Sequence, residues 1–123
     1  MTRLLFTMLV CALGTAQASA QGEVSQRLLE LDEDERNAAF TVMLKESNRN
    51  CDHVIRTLFK GTVLGVDDWE ALCRDRHSYS LSVLAELNET IIMSLSCREL
   101  LATSKLLLRR AGSKSKPTGC SIK

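Results

Sequence analysis

The residues able to do chemistry in this chain are its cysteines, its two histidines and a few clustered acids and serines. Cys51-x-His53 and Cys73-x3-His77 supply two thiols and two imidazoles, a count that suits tetrahedral zinc. Their spacing is unlike familiar zinc fingers, and an exported chain oxidises such thiols, so no metal is expected. No Cys-x-x-Cys pair is present, which argues against disulfide-exchange chemistry. Asp75, His77 and Ser78 are the residue types of a nucleophilic triad. Adjacent strand residues point to opposite faces, however, so His77 is not expected to activate Ser78. Ser78, Ser80 and Ser82 read as the polar face of a strand, where serine is inert without a positioned base. Asp67-Asp68 reads as a loop before Trp69, and the acids from Asp32 to Glu35 as a helix start, where negative charge meets the helix dipole favourably. A glycosidase needs two carboxyls converging across a cleft, and a domain this small offers little room for one. No motif specifies a reaction, so the expected role is non-enzymatic, with no cofactor.

The elements that hold these residues begin with an export signal. Arg3, the apolar run from Leu4 to Leu13 and Ala18-Ser19-Ala20 read as a cleavable signal peptide over residues 1–20. The apolar run is too short to span a bilayer, which takes about 20 apolar residues. Val10 before Cys11 argues against lipidation at that cysteine. Removal of 20 residues from 123 leaves 103, the length of one small domain, expected over 21–112 with a basic irregular tail over 113–123. The localisation implied is periplasmic or secreted, with no transmembrane segment once the signal is cleaved. Charge is nearly balanced overall, with 16 Lys plus Arg against 15 Asp plus Glu, yet it is unevenly placed. Six acids face one base (Arg27) between 21 and 35, and seven bases face one acid (Glu99) from Arg98 onward. Either the two ends attract each other, or the basic end, including Arg109 and Arg110, meets an anionic surface or partner. No aromatic residue interleaves the basic stretch, so nucleic acid is not expected as a partner.

Val24, Leu28 and Leu31 recur at helical spacing, and Asp32 with Glu35 resembles a capping box where a helix starts or restarts. Ala39, Phe40, Met43 and Leu44 continue an apolar stripe that should end near Ser47-Asn48. Val54, Ile55, Leu58 and Phe59 fall at the same spacing, so 51–60 reads as a further helix with Gly61 as its stop. From Trp69 the period becomes alternating. Trp69, Ala71 and Cys73 share one face of a first strand; Tyr79, Leu81 and Val83 alternate with serines in a second; Ile91, Met93, Leu95 and Cys97 form the main apolar face of a third. Asp75-Arg76-His77 is the expected hairpin loop, and Asn88-Glu89-Thr90 fits a glycosylation acceptor. Leu100, Leu101, Leu107 and Leu108 read as a short C-terminal helix with Arg109 and Arg110 in its last turn.

The fold class expected is therefore α+β, with N-terminal helices packed on a three-stranded antiparallel meander, a short C-terminal helix and disulfide bracing by Cys51, Cys73, Cys97 and Cys120. In that strand order the first and third strands lie about 9–10 Å apart. This exceeds the roughly 7 Å limit for bridged Cα atoms and excludes a Cys73–Cys97 bond. Two connectivities remain: Cys51–Cys73 with Cys97–Cys120, which is favoured, and Cys51–Cys97 with Cys73–Cys120. Trp69 and Tyr79 either stack across the first hairpin as core or form an exposed recognition patch.

Cys51, Val54, Phe59, Gly61, Trp69, Cys73, Tyr79 and Cys97 together resemble a pattern of small exported bacterial proteins of unknown function. That resemblance implies an exported domain and carries no catalytic residue. The helix-plus-strands arrangement is more weakly similar to PepSY domains, which bind or restrain other proteins, often peptidases. The expected function is a protein-interaction module, with an inhibitor or modulator of an exported hydrolase as the alternative and a small enzyme as a further one.

Overall fold

The protein, in a computed structural model that describes residues 22–86 and 89–123, is an α+β domain. Two helices, α1 (Glu23–Glu30) and α2 (Glu33–Glu46), precede four strands, β1 (Val54–Val63), β2 (Val66–Cys73), β3 (Ser78–Glu86) and β4 (Glu89–Ser96), and a last helix, α3 (Cys97–Arg110). The strands form one antiparallel meander in the order β1-β2-β3-β4. The export-signal reading concerns residues 1–20, and the glycosylation reading rests on Asn88; both lie outside the described residues.

The sheet has one strand more than expected, because 54–63 is β1 rather than a helix. Five of those ten residues (Val54, Ile55, Thr57, Thr62 and Val63) are β-branched, which stiffens χ1 and favours a pleated neighbour over a helical turn. Gly61, read as a helix stop, has φ 120° and sits at a register shift between Phe59 and Gly61. The β1–β2 connection is two residues long. Leu64 (φ 51°) and Gly65 (φ 77°) both take the left-handed conformation that a tight hairpin of matching twist requires. Asp67 and Asp68 lie within β2, not in a loop before it. Asp67 is buried and accepts hydrogen bonds from the Gly22 N–H (2.9 Å) and the Thr62 hydroxyl (2.6 Å), which ties the start of α1 to this hairpin.

The inner face of the sheet carries the core. Trp69, Ala71 and Cys73 of β2 and Tyr79, Leu81 and Val83 of β3 are buried against Leu28 of α1 and Phe40 and Leu44 of α2. Trp69 packs against Phe40 and Phe59, with ring centroids 5.1 and 4.8 Å away, and its indole N–H donates to the buried Ser25 hydroxyl at 3.0 Å. The Asp32 side chain caps α2 by accepting from the Glu35 N–H at 2.8 Å, as its position before the apolar stripe anticipates. The Thr41 hydroxyl accepts from the Val54 N–H at 2.9 Å and so joins α2 to β1.

On β4 the apolar face is the reverse of the expected one. Ile92 packs on the core, whereas Ile91, Met93 and Leu95 are exposed. Register decides this. Pairing places Ile92 opposite Val83, Ser94 opposite Leu81 and Ser96 opposite Tyr79, so these three share the inner face. Cys97 is not a strand residue but the first residue of α3, whose start is a full capping box between Ser96 and Glu99.

The disulfides join Cys51 to Cys73 and Cys97 to Cys120, with Cα atoms 5.7 and 5.5 Å apart. The first joins the loop after α2 to the end of β2. The second starts a strap: the segment after α3 is held at more points than its cysteine. The Thr118 N–H donates to the Ser104 hydroxyl at 2.7 Å, and the N–H groups of Ser121 and Ile122 donate to Glu70. Ile122 is buried.

Each disulfide constrains a sequence separation of 22 or 23 residues. Loop-entropy reasoning assigns about 3 kcal/mol to a closure of that size. The Cys51→Ser/Cys73→Ser double variant is therefore expected to lose about 3 kcal/mol in urea denaturation relative to the oxidised protein. A loss under about 1 kcal/mol would show that the bridge constrains little.

Candidate functional site

Strand alternation sends Asp68, Glu70 and Leu72 of β2 and Ser80 and Ser82 of β3 to the outer face of the sheet, away from Trp69 and Leu81. Lys60 joins them from the β1 bulge. Lys60, Asp68, Glu70, Ser80 and Ser82, with Leu95 of β4, Leu100 of α3 and the strap at Thr118, Gly119 and Ser121, line a cleft of about 410 Å³. The serine-bearing face of the second expected strand is thus one wall of a cavity rather than a flat solvated surface.

Glu70 organises the closed end of this cleft. It is 4% exposed, and its two oxygens accept the Ser121 N–H at 3.0 and 2.9 Å and the Ile122 N–H at 2.8 Å. The Lys60 ammonium lies 3.6 Å from Glu70 and donates to the Ser121 hydroxyl at 2.6 Å. A lysine beside a serine raises the question of a base and a nucleophile. Here the lysine donates to that serine and lies beside the buried Glu70 carboxyl, so it acts as a hydrogen-bond donor and a partner of Glu70. Further along, the Ser82 hydroxyl donates to Asp68 at 2.7 Å. The Ser80 hydroxyl has no hydrogen-bond partner among the described residues. The cleft offers acceptors and hydroxyls along one side and apolar Leu95 and Leu100 along the other.

A second, smaller cavity of about 210 Å³ lies at the β2–β3 hairpin and is lined by Arg76, His77, Ser78, Ser96 and Arg98. Asp75 shapes this hairpin, as the chain's short polar loop anticipates. It accepts from the His77 N–H at 3.0 Å and contacts His77 Nδ1 at 2.8 Å. Those hydrogen bonds from His77 hold the Asp75 carboxyl below its ordinary range. Among the described residues, Ser78 makes no hydrogen bond to His77, so the triad geometry is not formed. His53 is exposed, and the Cys51 and Cys73 sulfurs are bonded to one another.

The residues singled out for interaction divide into two pairs. Trp69 and Tyr79 are interior, 1% and 6% exposed, so neither forms a surface patch. They also do not face one another directly, because Trp69 pairs with Leu81 and Tyr79 with Ala71. The Tyr79 hydroxyl donates to the Asn50 carbonyl at 3.0 Å, and burial pushes its ionisation up. Arg109 and Arg110 are exposed in the last turn of α3, where they meet the negative end of the helix dipole. No ion pair among the described residues joins the acidic 23–35 segment to the bases after Cys97.

Sequence reasoning missed Glu70, Lys60 and Ser121, whose partnership spans 51 to 61 residues. It also missed the Ser96-x-x-Glu99 capping box, a signal that was present in the chain. There the Ser96 N–H donates to Glu99 at 2.7 Å, the Glu99 N–H donates to the Ser96 hydroxyl at 3.0 Å, and Arg49 donates to Glu99 at 3.0 Å.

Together these features define a disulfide-braced α+β domain with a closed apolar inner face and an open, largely polar cleft on its outer face. No protein-family model, curated protein or solved structure matches the chain. Among the described residues, no helix is long and apolar enough to cross a membrane.

The hydrogen bonds from Ser96 lower the Glu99 carboxyl below its ordinary value, with Arg49 adding to the effect. A depressed folded-state value means that the stabilisation is complete above the unfolded value and is lost as pH falls through the folded one. In an NMR titration the Ser96 and Glu99 amide signals should move with a shared midpoint below the ordinary glutamate value of about 4.3. A midpoint at or above that value would contradict the cap.

Proposed function

We propose that this protein is a small exported, non-enzymatic interaction module that takes an extended segment of a partner protein on its outer sheet face. The observation that carries the reading is the row Ile91, Met93 and Leu95 on β4, exposed by 40, 54 and 42%. Scattered surface apolar residues are ordinary, but a contiguous row beside a cleft marks a place where another surface belongs. The row pairs with Leu84, Ser82 and Ser80 of β3, so apolar and hydroxyl positions alternate across the same face. An extended polypeptide presents side chains to one side about every 6.6–6.8 Å, the repeat of residues 91, 93 and 95 along a strand. Export is supported by the pattern of residues 1–20 and by two disulfides, which persist in oxidising compartments. The compartment proposed is the periplasm or the extracellular space.

A second reading, a modulator of an exported hydrolase, is favoured by the β1–β2 hairpin tip. Leu64 is 98% and Val63 65% exposed at this two-residue turn, an apolar tip offered to a partner's cleft.

Selection of a displayed peptide library against the purified protein separates the two. The expected result is enrichment of peptides with apolar residues at every second position, whose binding is lost in Met93→Asp while the thermal midpoint is kept. Binding that survives Met93→Asp but is lost in Leu64→Asp would favour the hairpin reading instead, and an unenriched library would count against the outer-face reading.

A further inference from the structure

We propose that the pocket at the β2–β3 hairpin, lined by Arg76, His77 and Arg98 beside Ser78 and Ser96, is a binding site for the phosphate or sulfate group of a ligand. The site is separate from the outer-face cleft and does not rest on the reading of that cleft. Its composition carries the inference. Three of the five lining residues, Arg76, His77 and Arg98, are of basic type, and no acid lines it. Neither Arg76 nor Arg98 forms an ion pair or a side-chain hydrogen bond among the described residues, whereas Arg74 on the same hairpin pairs with Asp52 at 3.8 Å. Two arginines thus line one small cavity without a counter-ion among the described residues.

The acids nearest the site are engaged elsewhere. Asp75 holds His77 Nδ1 at 2.8 Å and fixes the ring at the pocket wall, and Glu99 is taken up by Ser96 and Arg49. Two guanidinium forks carry more N–H donors than the two oxygens of a carboxylate accept. A tetrahedral group with three or four acceptor oxygens matches that number, and Arg is the side chain suited to such bidentate recognition. The volume of about 210 Å³ also fits. A water occupies about 30 Å³ of liquid, so the cavity admits one such group with several waters around it.

The test is titration of inorganic phosphate, and separately sulfate, into the isotope-labelled full chain, followed by NMR at constant ionic strength. The expected result is saturable shifts centred on Arg76, His77 and Arg98. Affinity should fall at least about tenfold, about 1.4 kcal/mol, in the Arg76→Ala/Arg98→Ala variant, which leaves the Asp75–His77 contact and the Ser96–Glu99 cap in place. The Arg109→Ala/Arg110→Ala variant should bind as the parent does. Shifts that never saturate, that spread over all basic residues, or that persist unchanged in the Arg76/Arg98 variant would overturn the site. Vesicles containing phosphatidic acid identify the source of the group. Binding to them that is lost in the same double variant assigns a lipid headgroup, and saturable phosphate binding without vesicle binding assigns a soluble ligand; either result supports the pocket.

Discussion

The packing of Trp69 is the interaction on which the inner half of this domain depends. A single side chain from the middle of β2 meets Phe40 of α2, Phe59 of β1 and, through its indole N–H, Ser25 of α1. Both N-terminal helices and the first hairpin are therefore positioned against one ring. An aromatic residue of this size dominates the energetics of a small core, because it buries about 150–250 Å². Ser25 is fully buried, and its hydroxyl satisfies the one polar atom that the indole would otherwise leave unpaired in the interior. The Cys51–Cys73 bridge and the Thr41–Val54 hydrogen bond then fix the connection between α2 and β1, where the chain turns from helix to sheet.

The neighbouring residue does the corresponding work on the other face. Glu70 points away from the core, yet it is nearly as buried as Trp69 because the strap crosses over it. A buried carboxylate is tolerated only when its charge is met by donors, and here two consecutive backbone N–H groups and the Lys60 ammonium supply them. Removing the donors would leave an uncompensated buried charge, which makes the strap and Glu70 mutually dependent. Cys97–Cys120 and Thr118 hold the strap in place from the α3 side. Adjacent residues of one strand thus anchor opposite layers of the molecule, and the outer cleft exists because the strap covers only part of its face.

What the sequence made legible follows the range of the interactions. Helix α2, its Asp32 cap, the β2–β3 hairpin and the favoured disulfide pairing all follow from spacing within a few dozen residues, and each is present. The segment from Val54 to Phe59 reads as a helix in the sequence because apolar residues at positions 54, 55, 58 and 59 satisfy a helical stripe, yet it is a strand. Its β-branched content and its pairing with β2 decide the outcome, and pairing is a tertiary fact. On β4 the alternation was visible, but alternation alone does not say which side faces the core; the register against β3 does. Glu70, Lys60 and Ser121 were illegible for the same reason, since nothing local marks a carboxylate that will receive backbone N–H groups from a segment 51 residues away.

The edge of the sheet explains why the outer face, rather than the backbone of β4, is the surface left available. In an antiparallel ladder, residues alternate between pointing their backbone groups at the neighbouring strand and away from it. The Ser94 carbonyl accepts from Arg49 at 2.6 Å, so Ser94 belongs to the outward set, together with Thr90, Ile92 and Ser96. The Ser96 N–H is taken by Glu99, and Arg49 also reaches the Ser94 hydroxyl at 3.1 Å and Glu99 at 3.0 Å. The α3 half of the edge is thereby closed by one arginine and one cap. A charged side chain laid along an edge strand blocks the addition of further strands, which protects against aggregation. The Ser94 carbonyl and the Ser96 N–H, two of the outward groups of β4, are thus already taken. The apolar row of Ile91, Met93 and Leu95 points away from that edge onto the outer face, so a partner that covers it is directed across the serines of β3 and toward the cleft beside Glu70.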